Sequence, residues 1–405
     1  MLAPLLLALA AVTPSVASSQ AANSPAAPGD ASDDAPTEVT GARALYRLRL
    51  DAPAELIQLR EQVRALLERT GAFSCEPGAA DGAVVLAPGG DGVSLLVRRP
   101  GVTERTAHAT GEPRLLAGPL ADSVLRAFGL RPEFNSLIAF VRGGSTLSLA
   151  SPGGEEQSRW PSSGDVVSVG WSDGGQELVY ARASDARREL LRARLGRDET
   201  PLPWLSWPGF ASSPTLLPGG IYYFAGATAA GTGIFWGTLG APPQLLFARR
   251  SGALEVSPAI DGTHHRLAFI TDRTGQQRVH LAALDGSGER ALETGLGQAL
   301  DPAFSPDGDQ LAYALAAPGG AQQLWVLDLV TGQRRAVTSG PGLKTHPSWS
   351  PGGGLLAYQL RGDGPAQLWT AAAAGGSERL LVSAPGGATL PAWGPLRNRQ
   401  AVASR

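Results

Sequence analysis

The stretch that decides the fold reads DPAFSPDGDQLAY at residues 301–313. A short apolar segment ends in a Ser-Pro-Asp-Gly turn, and a second apolar segment follows at once. Proline presets the φ angle of such a turn, and glycine adopts the backbone conformation that reverses the chain. The stretch therefore predicts two antiparallel strands joined by a tight turn.

The same stretch recurs along the chain, and each copy has an anchor position that is usually proline. The anchors lie 44 or 45 residues apart, at Val169, Pro214, Pro258, Pro302, Pro347 and Pro391. Each anchor is followed two positions later by a large apolar residue, and the complete copies continue with three further apolar segments. Four strands of this length with short turns fill roughly 40–50 residues, the length of one propeller blade.

The last copy stops after Trp393, and its missing strands stand before the first copy. Residues 138–141 match the second strand, and residues 147–150 match the third. A lone four-stranded sheet cannot bury both faces, whereas a ring of sheets covers them and leaves no long free edges. We therefore predict a mainly β fold, a six-bladed β-propeller over residues 137–396 whose C-terminal strand closes the blade begun at 137–160. The alternative is an open β-sandwich array.

The sequence before the ring predicts a small α/β domain over residues 42–136. Apolar residues at helical spacing predict helices at 54–69 and 115–128, each followed by a glycine that ends it. Alternating segments predict strands at 44–50, 82–87, 93–99 and 103–108. The domain leads directly into the strand at residue 138, so we expect a short, fixed connection to the ring.

The termini and the composition predict where the protein works. Residues 1–18 have an apolar Leu/Ala/Val core and resemble a secretory signal peptide, too short to span a bilayer. Residues 19–41 are rich in Ala, Ser, Pro and Asp and predict a disordered lead-in, and residues 397–405 form a tail. The single cysteine, Cys75, excludes an intramolecular disulfide, and a net charge of −2 favours no nucleic-acid partner. These features together predict an exported, periplasmic protein.

Several motifs suggest chemistry, but each has a structural explanation. Residues 170–174 (GWSDG) match the nucleophile elbow of hydrolases, yet that elbow needs a helix after the serine, and Ser172 occupies the turn position of Ser305. Residues 307–309 (Asp-Gly-Asp) lack the further carboxylates of a calcium loop, and no histidine spacing matches a zinc site. Residues 361–363 (Arg-Gly-Asp) fit a loop between strands. We predict no catalytic residue, no metal and no cofactor, and hence a protein that is not an enzyme.

The order of an α/β domain, six blades and a split closure resembles the TolB family, a periplasmic component of the Tol–Pal envelope system. The resemblance covers residues 42–396 and rests on the helix at 56–73, the segment 120–125, the junction at 134–141 and the Ser-Pro-Asp-Gly turns. It implies a monomeric, non-enzymatic scaffold that binds a Pal-like peptidoglycan-associated lipoprotein through one propeller face. Residues 19–41 replace the strand-like segment with which the family contacts TolA, so a TolA-like partner stays open.

The binding face that the resemblance implies consists of the loops before the anchors, which a propeller gathers around its central channel. By motif position, Ser213 and Val256 are the closest equivalents of the family's contact residues. The predicted partner-binding residues are Ser213, Glu255, Val256, Asp301, Lys344, Thr345 and His346. The alternative function is an exported propeller that binds a small molecule or a glycan, or that assists a peptidase.

Overall fold

A computed structural model describes most of the chain after residue 45. The described residues are 46–78, 81–100, 102–111, 113–162, 164–172, 175–184, 187–195, 200–229, 231–247, 252–316 and 320–397. The predicted signal peptide (1–18), the predicted lead-in (19–41) and residues 398–405 of the predicted tail lie outside them. Within the described part, no helix is both long and apolar enough to cross a membrane.

The α/β domain has two helices packed on a five-stranded sheet. Its elements are β1 (Tyr46–Asp51), a 3-10 turn (Ala54–Leu56), α1 (Ile57–Arg69), β2 (Phe73–Cys75), β3 (Gly82–Gly89), β4 (Gly92–Arg99), β5 (Val102–Thr110) and α2 (Pro113–Ala127). The sheet order is β2-β1-β3-β4-β5, and β1 runs parallel to both β2 and β3. The two predicted helices and four predicted strands are confirmed to within a few residues. Strand β2 was not predicted, because three residues are too few to show an alternating pattern.

The core of this domain follows from the spacing along α1. Leu59, Val63, Leu66 and Leu67 recur at three- and four-residue intervals and are buried. They join the buried face of the sheet, which includes Leu48, in one apolar cluster. Burial of this stripe fixes which side of α1 faces the sheet and which side faces outward.

Within the described residues, six four-stranded antiparallel blades follow the α/β domain. Their strands are β6 (Ile138–Arg142), β7 (Thr146–Ala150), β8 (Glu156–Pro161), β9 (Val166–Trp171), β10 (Glu177–Ser184), β11 (Arg187–Arg194), β12 (Leu202–Pro208), β13 (Ala211–Leu216), β14 (Ile221–Thr228), β15 (Gly231–Thr238), β16 (Gln244–Leu245), β17 (Glu255–Asp261), β18 (Arg266–Thr271), β19 (Arg278–Ala283), β20 (Arg290–Ala291), β21 (Ala299–Phe304), β22 (Gln310–Ala316), β23 (Gln322–Asp328), β24 (Arg334–Ala336), β25 (Leu343–Trp349), β26 (Leu355–Arg361), β27 (Gln367–Ala372), β28 (Arg379–Val382) and β29 (Ala388–Trp393). The innermost strands β9, β13, β17, β21, β25 and β29 each contact the next, and β29 also contacts β9. The six sheets therefore form a ring, and the predicted propeller is confirmed.

The ring closes through the predicted pairing of the C-terminal strand. Strand β29 runs antiparallel to β6, with Trp393 opposite Ile138. The buried Trp393 donates its indole N–H to the hydroxyl of Ser136 at 2.8 Å. From the neighbouring blade, Trp171 donates its indole N–H to the carbonyl of Ala392 at 2.8 Å. Backbone pairing and two indole hydrogen bonds thus hold the last strand in place.

The Ser-Pro-Asp-Gly turn is held by its own side chains. The Ser305 hydroxyl donates to the Asp307 carboxylate at 2.7 Å and accepts the backbone N–H of Gln310 at 2.9 Å. Gly308 supplies a φ of 78°, which other residues adopt only with strain. Serine, aspartate and glycine each have a separate role in reversing the chain.

The turn at residues 350–353 lacks the aspartate, and a glutamate from outside the ring takes its place. Gly352 stands at the position that Asp307 has in the full motif. The carboxylate of Glu133, which follows α2, accepts the backbone N–H groups of Gly352 at 3.1 Å and Gly354 at 2.8 Å. The connection between the α/β domain and the ring therefore supplies the carboxylate that this turn lacks.

The connection is fixed at its two ends. In α2, the buried Asp122 carboxylate accepts the backbone N–H groups of residues 133–135 at 2.7 to 2.9 Å. On the ring side, Arg131 pairs with Asp307 at 3.0 Å. The expected short, fixed connection is therefore present, and residues 131–133 reach two adjacent blades.

We expect Glu133→Gln to change how stability depends on pH. Burial raises the pKa of Glu133 from its ordinary 4.5 to about 7. Because the folded protein then binds this proton more tightly than the unfolded chain, the stabilisation is complete below the unfolded pKa and is lost as pH rises through the folded pKa. In the wild type, the free energy of unfolding should fall by on the order of 3 kcal/mol over this pH range. Glutamine cannot titrate, so the variant should lack this fall. Urea unfolding of both proteins between pH 4.5 and 8 measures the difference, and parallel profiles would contradict it.

Candidate functional site

The predicted binding segments are the first residues of the innermost strands and not loops. Ala211, Glu255, Ala299 and Ala388 each begin such a strand, and β25 begins one residue before Lys344. Because the innermost strands run in the same direction around the ring, these residues lie at one end of the central channel. We call this end the channel mouth, formed by residues 211–213, 255–257, 299–301, 344–346 and 388–390.

The channel mouth has an unusual backbone. The residue before each proline anchor has a left-handed φ between 50° and 54°: Ser213, Ser257, Asp301, His346 and Leu390. Non-glycine residues rarely adopt this conformation, and proline normally biases the preceding residue towards extended backbone. Each of the five strands shifts register at this point, which is a β-bulge. The bulges explain why apolar alternation stops before the anchors and why the sequence suggested loops.

Hydrogen bonds between neighbouring blades stabilise the bulges. The backbone N–H of Ser213 donates to the hydroxyl of Ser168 at 2.9 Å, and that of His346 donates to the Asp301 carboxylate at 3.1 Å. In both pairs, the two residues are 45 positions apart and hold the same place in adjacent blades. At these two places, one residue of a blade therefore fixes the backbone of the next blade.

The predicted site residues divide into two groups. Ser213, Asp301, Thr345 and His346 are partly exposed at the channel mouth, and they stay candidates for partner contact. Glu255, Val256 and Lys344 are buried, with 4%, 8% and 2% of their surface exposed. These three side chains therefore offer a partner little surface in this structure, and position along a strand alone did not reveal that they face inward. Ser257 and Leu390 hold the same position at the mouth and are not among the predicted site residues, although the 44–45-residue period marks their positions.

Lys344, the only lysine in the chain, belongs to a buried polar cluster. Its ammonium group lies 3.1 Å from the side-chain oxygen of Gln323 and 3.4 Å from the Glu378 carboxylate, and it also contacts the Ser339 carbonyl. Burial lowers the pKa of Lys344. Removal of this side chain would leave Glu378 without its cation, so Lys344 stabilises the blade and offers no surface for recognition.

Glu255 has a similar internal role. Arg273 bridges the carboxylates of Glu255 and Glu289, the latter at 2.7 Å. His280 lies 2.8 Å from Glu289, and the Arg273 guanidinium stands over the ring of Phe247. The cluster links residues of one blade behind the channel mouth, and its charges are already paired.

The polar groups that face the mouth converge at Asp301 and His346. The imidazole Nδ1 of His346 lies 3.4 Å from the Asp301 carboxylate and 3.0 Å from the Thr345 hydroxyl. The side chain of His346 is 40% exposed and that of Asp301 is 20% exposed. The pair offers both a carboxylate and an imidazole to a partner on a backbone that cannot shift without breaking a blade-to-blade hydrogen bond.

The hydrolase motif has the structural role that the sequence predicts. Ser172 lies between β9 and β10, and its hydroxyl accepts the backbone N–H of Glu177 and donates to its carbonyl, both at 3.2 Å. A nucleophile elbow requires a helix after the serine, and a strand follows here. Among the described residues, no group of three or more His, Cys, Asp or Glu side chains could hold a metal ion.

Comparisons with known proteins agree with the observed fold. The family model described as PD40, TolB beta propeller domain, matches residues 244–404. No curated protein matched the chain. The crystal structure of TolB from Acinetobacter baumannii is similar with a TM-score of 0.74 and 18% identity, over 88% of this chain and 99% of that one.

Two further structures are similar to this chain over about two thirds of its length. A chain of a nidogen/laminin complex has a TM-score of 0.51 and 13% identity, over 65% of this chain and 100% of that one. Hydrazine synthase from Kuenenia stuttgartiensis has a TM-score of 0.52 and 11% identity, over 66% of this chain and 49% of that one. At these identities the similarities show the fold, which is TolB-like, with a small α/β domain before the propeller.

Proposed function

We propose that this protein is a non-enzymatic periplasmic scaffold of the Tol–Pal type, and that its channel mouth binds a Pal-like lipoprotein. The TolB-like fold supports a scaffold of this kind. The observation that carries the proposal is the row of left-handed residues at one end of the channel. Backbone strain of this kind concentrates at functional sites, where it persists because surrounding contacts hold it in place.

The mouth has the properties of a recognition surface. Its backbone is fixed by blade-to-blade hydrogen bonds, so little conformational entropy is lost when a partner binds. Ser213, Thr345 and His346 present a hydroxyl, a second hydroxyl and an imidazole, and Asp301 adds a carboxylate. Such an array suits a partner that supplies backbone and side-chain donors and acceptors.

We expect His346→Asn to weaken lipoprotein binding by about tenfold, as is typical of one important contact in an interface. Asparagine tolerates the left-handed conformation better than most residues, so the backbone stays in place while the imidazole is removed. Titration of the full chain with a purified Pal-like lipoprotein in mild detergent measures the affinity. Val330→Ser, which changes a side chain that is 80% exposed away from the mouth, is the matched control.

The outcome separates the proposed function from its alternative. Weaker binding by His346→Asn, with wild-type affinity for Val330→Ser, supports the mouth as the interface. No lipoprotein binding by the wild-type chain would overturn the proposal and favour the exported small-molecule or glycan module.

A further inference from the structure

A cavity of about 840 Å³ lies between the α/β domain and the closing blade. Its walls come from α1, the start of α2, the connection at 134–136, the loop at 151–157 and Arg397. The volume is within the range of pockets that hold small organic ligands. None of these residues belongs to the channel mouth, so the cavity is a separate candidate site.

One side of the cavity is apolar. Leu66 and Leu116 line it from the two helices and are themselves buried. Leu115 lines it as well and leaves 46% of its surface uncovered. An apolar group that covered Leu115 would gain the stabilisation of surface removed from water.

Another part of the cavity carries Arg69, which has no carboxylate partner among the residues that the structure describes. Arg69 donates one hydrogen bond, at 3.1 Å, to the hydroxyl of Thr370 in the ring. Within the described chain, no carboxylate is paired with Arg69, and the charged group that acts on it is a second cation, Arg379. Burial and this neighbour lower the pKa of Arg69. The end of α1 favours a cation through its carbonyl groups, but it provides no counter-ion.

The remaining charges of the cavity do not neutralise Arg69. Glu155 accepts a hydrogen bond from Gln62 at 2.9 Å, and His108 lies 3.0 Å from Asp91. Arg397 adds a second guanidinium to the lining. The lining therefore combines apolar surface with an excess of positive charge.

We propose that this cavity binds an amphipathic carboxylate, with the acidic head at Arg69 and the apolar chain along Leu66, Leu115 and Leu116. The two parts of such a ligand match two features of the lining, the guanidinium of Arg69 and the exposed side chain of Leu115. The carboxylate supplies the missing counter-ion, and the chain covers the exposed leucine. A charge-assisted hydrogen bond to arginine is stronger than one between neutral groups, so the head group sets the preference for an anion.

The test is calorimetric titration of the full chain with decanoate and with decyltrimethylammonium, which have chains of similar length and opposite charge. We expect decanoate to bind at one site and the cation to bind at least tenfold more weakly. Arg69→Gln should weaken decanoate binding at least tenfold. Ala65→Trp, at an exposed lining position, should abolish it by filling the cavity.

Arg64→Gln is the matched control. Arg64 lies on α1 as Arg69 does, but it does not line the cavity and is paired with Glu68 at 3.1 Å. Wild-type affinity in this variant, with losses in Arg69→Gln and Ala65→Trp and melting temperatures close to that of the wild type, supports the proposal. Equal binding of the two probes, or undiminished decanoate binding in Arg69→Gln and Ala65→Trp, would overturn it.

Discussion

Gly352→Asp is expected to destabilise the protein by about 3 kcal/mol, although it restores the consensus residue of the turn. A Cβ atom at this position would lie 2.6 Å from the Glu133 carboxyl carbon and 2.7 Å from the Pro132 carbonyl oxygen. The new carboxylate would also face the carboxylate of Glu133. The variant must therefore break the hydrogen bonds between Glu133 and the turn, and the connection would separate from the ring.

Chemical denaturation compares this variant with Gly262→Asp, the same change in another turn glycine of the ring. A Cβ at Gly262 has its nearest neighbour at 4.0 Å, in a side chain, so we expect a change within about 0.5 kcal/mol. The double variant Gly352→Asp with Glu133→Ala removes the like charge and should recover part of the loss, which shows that the two sites are coupled. Equal stability of the two aspartate variants would contradict the role given to Glu133.

Trp393→Ala is expected to cost about 3–5 kcal/mol and to free the last strand of the ring. Trp393 is 7% exposed, packs in the core between the ring and the α/β domain, and donates a hydrogen bond to Ser136. Loss of the indole leaves a cavity and removes one of the two hydrogen bonds of the Ser136 hydroxyl at the point where the chain closes on itself. Hydrogen exchange should show faster exchange of the backbone amides in β29 and β6, together with a lower midpoint of urea unfolding.

Trp349→Ala is the matched control, because Trp349 holds the same position in a blade whose four strands are continuous in sequence. Its side chain is also 7% exposed, and its indole donates to the Ala303 carbonyl at 2.9 Å. We expect a similar loss of stability with exchange in β29 and β6 close to that of the wild type. An equal increase of amide exchange in β6 for the two variants would contradict a specific role of Trp393 in holding β29 against β6.

The 44–45-residue period of the sequence was sufficient to predict the ring. Each repeat forms a sheet with two apolar faces, and both faces must be covered by neighbouring sheets. The split blade followed from counting strands, and the pairing of Trp393 with Ile138 confirms it. The role of Glu133 could not be predicted from the turn at Gly352. A one-dimensional pattern shows a missing aspartate, whereas the carboxylate that replaces it is 219 residues away from Gly352 in sequence.

The candidate site was predictable as a region but not residue by residue. The anchors located the channel mouth, since every blade contributes the residues before its anchor to the same end. The bulges then changed which side chains face inward, and Glu255 and Lys344 turned out to be buried ion-pair partners. Alternation along a strand cannot be followed through a bulge, because one extra residue reverses the two faces.

Closure of the ring by its last strand also sets the order of assembly. Trp393 and Ser136 are 257 residues apart, so strands β6 to β8 leave the ribosome long before their fourth partner. Contacts across so long a separation form slowly, and a growing chain keeps an open sheet edge until its end arrives. The ring can therefore close only after the last strand has been synthesised, and the free edge of β6 stays uncovered until then.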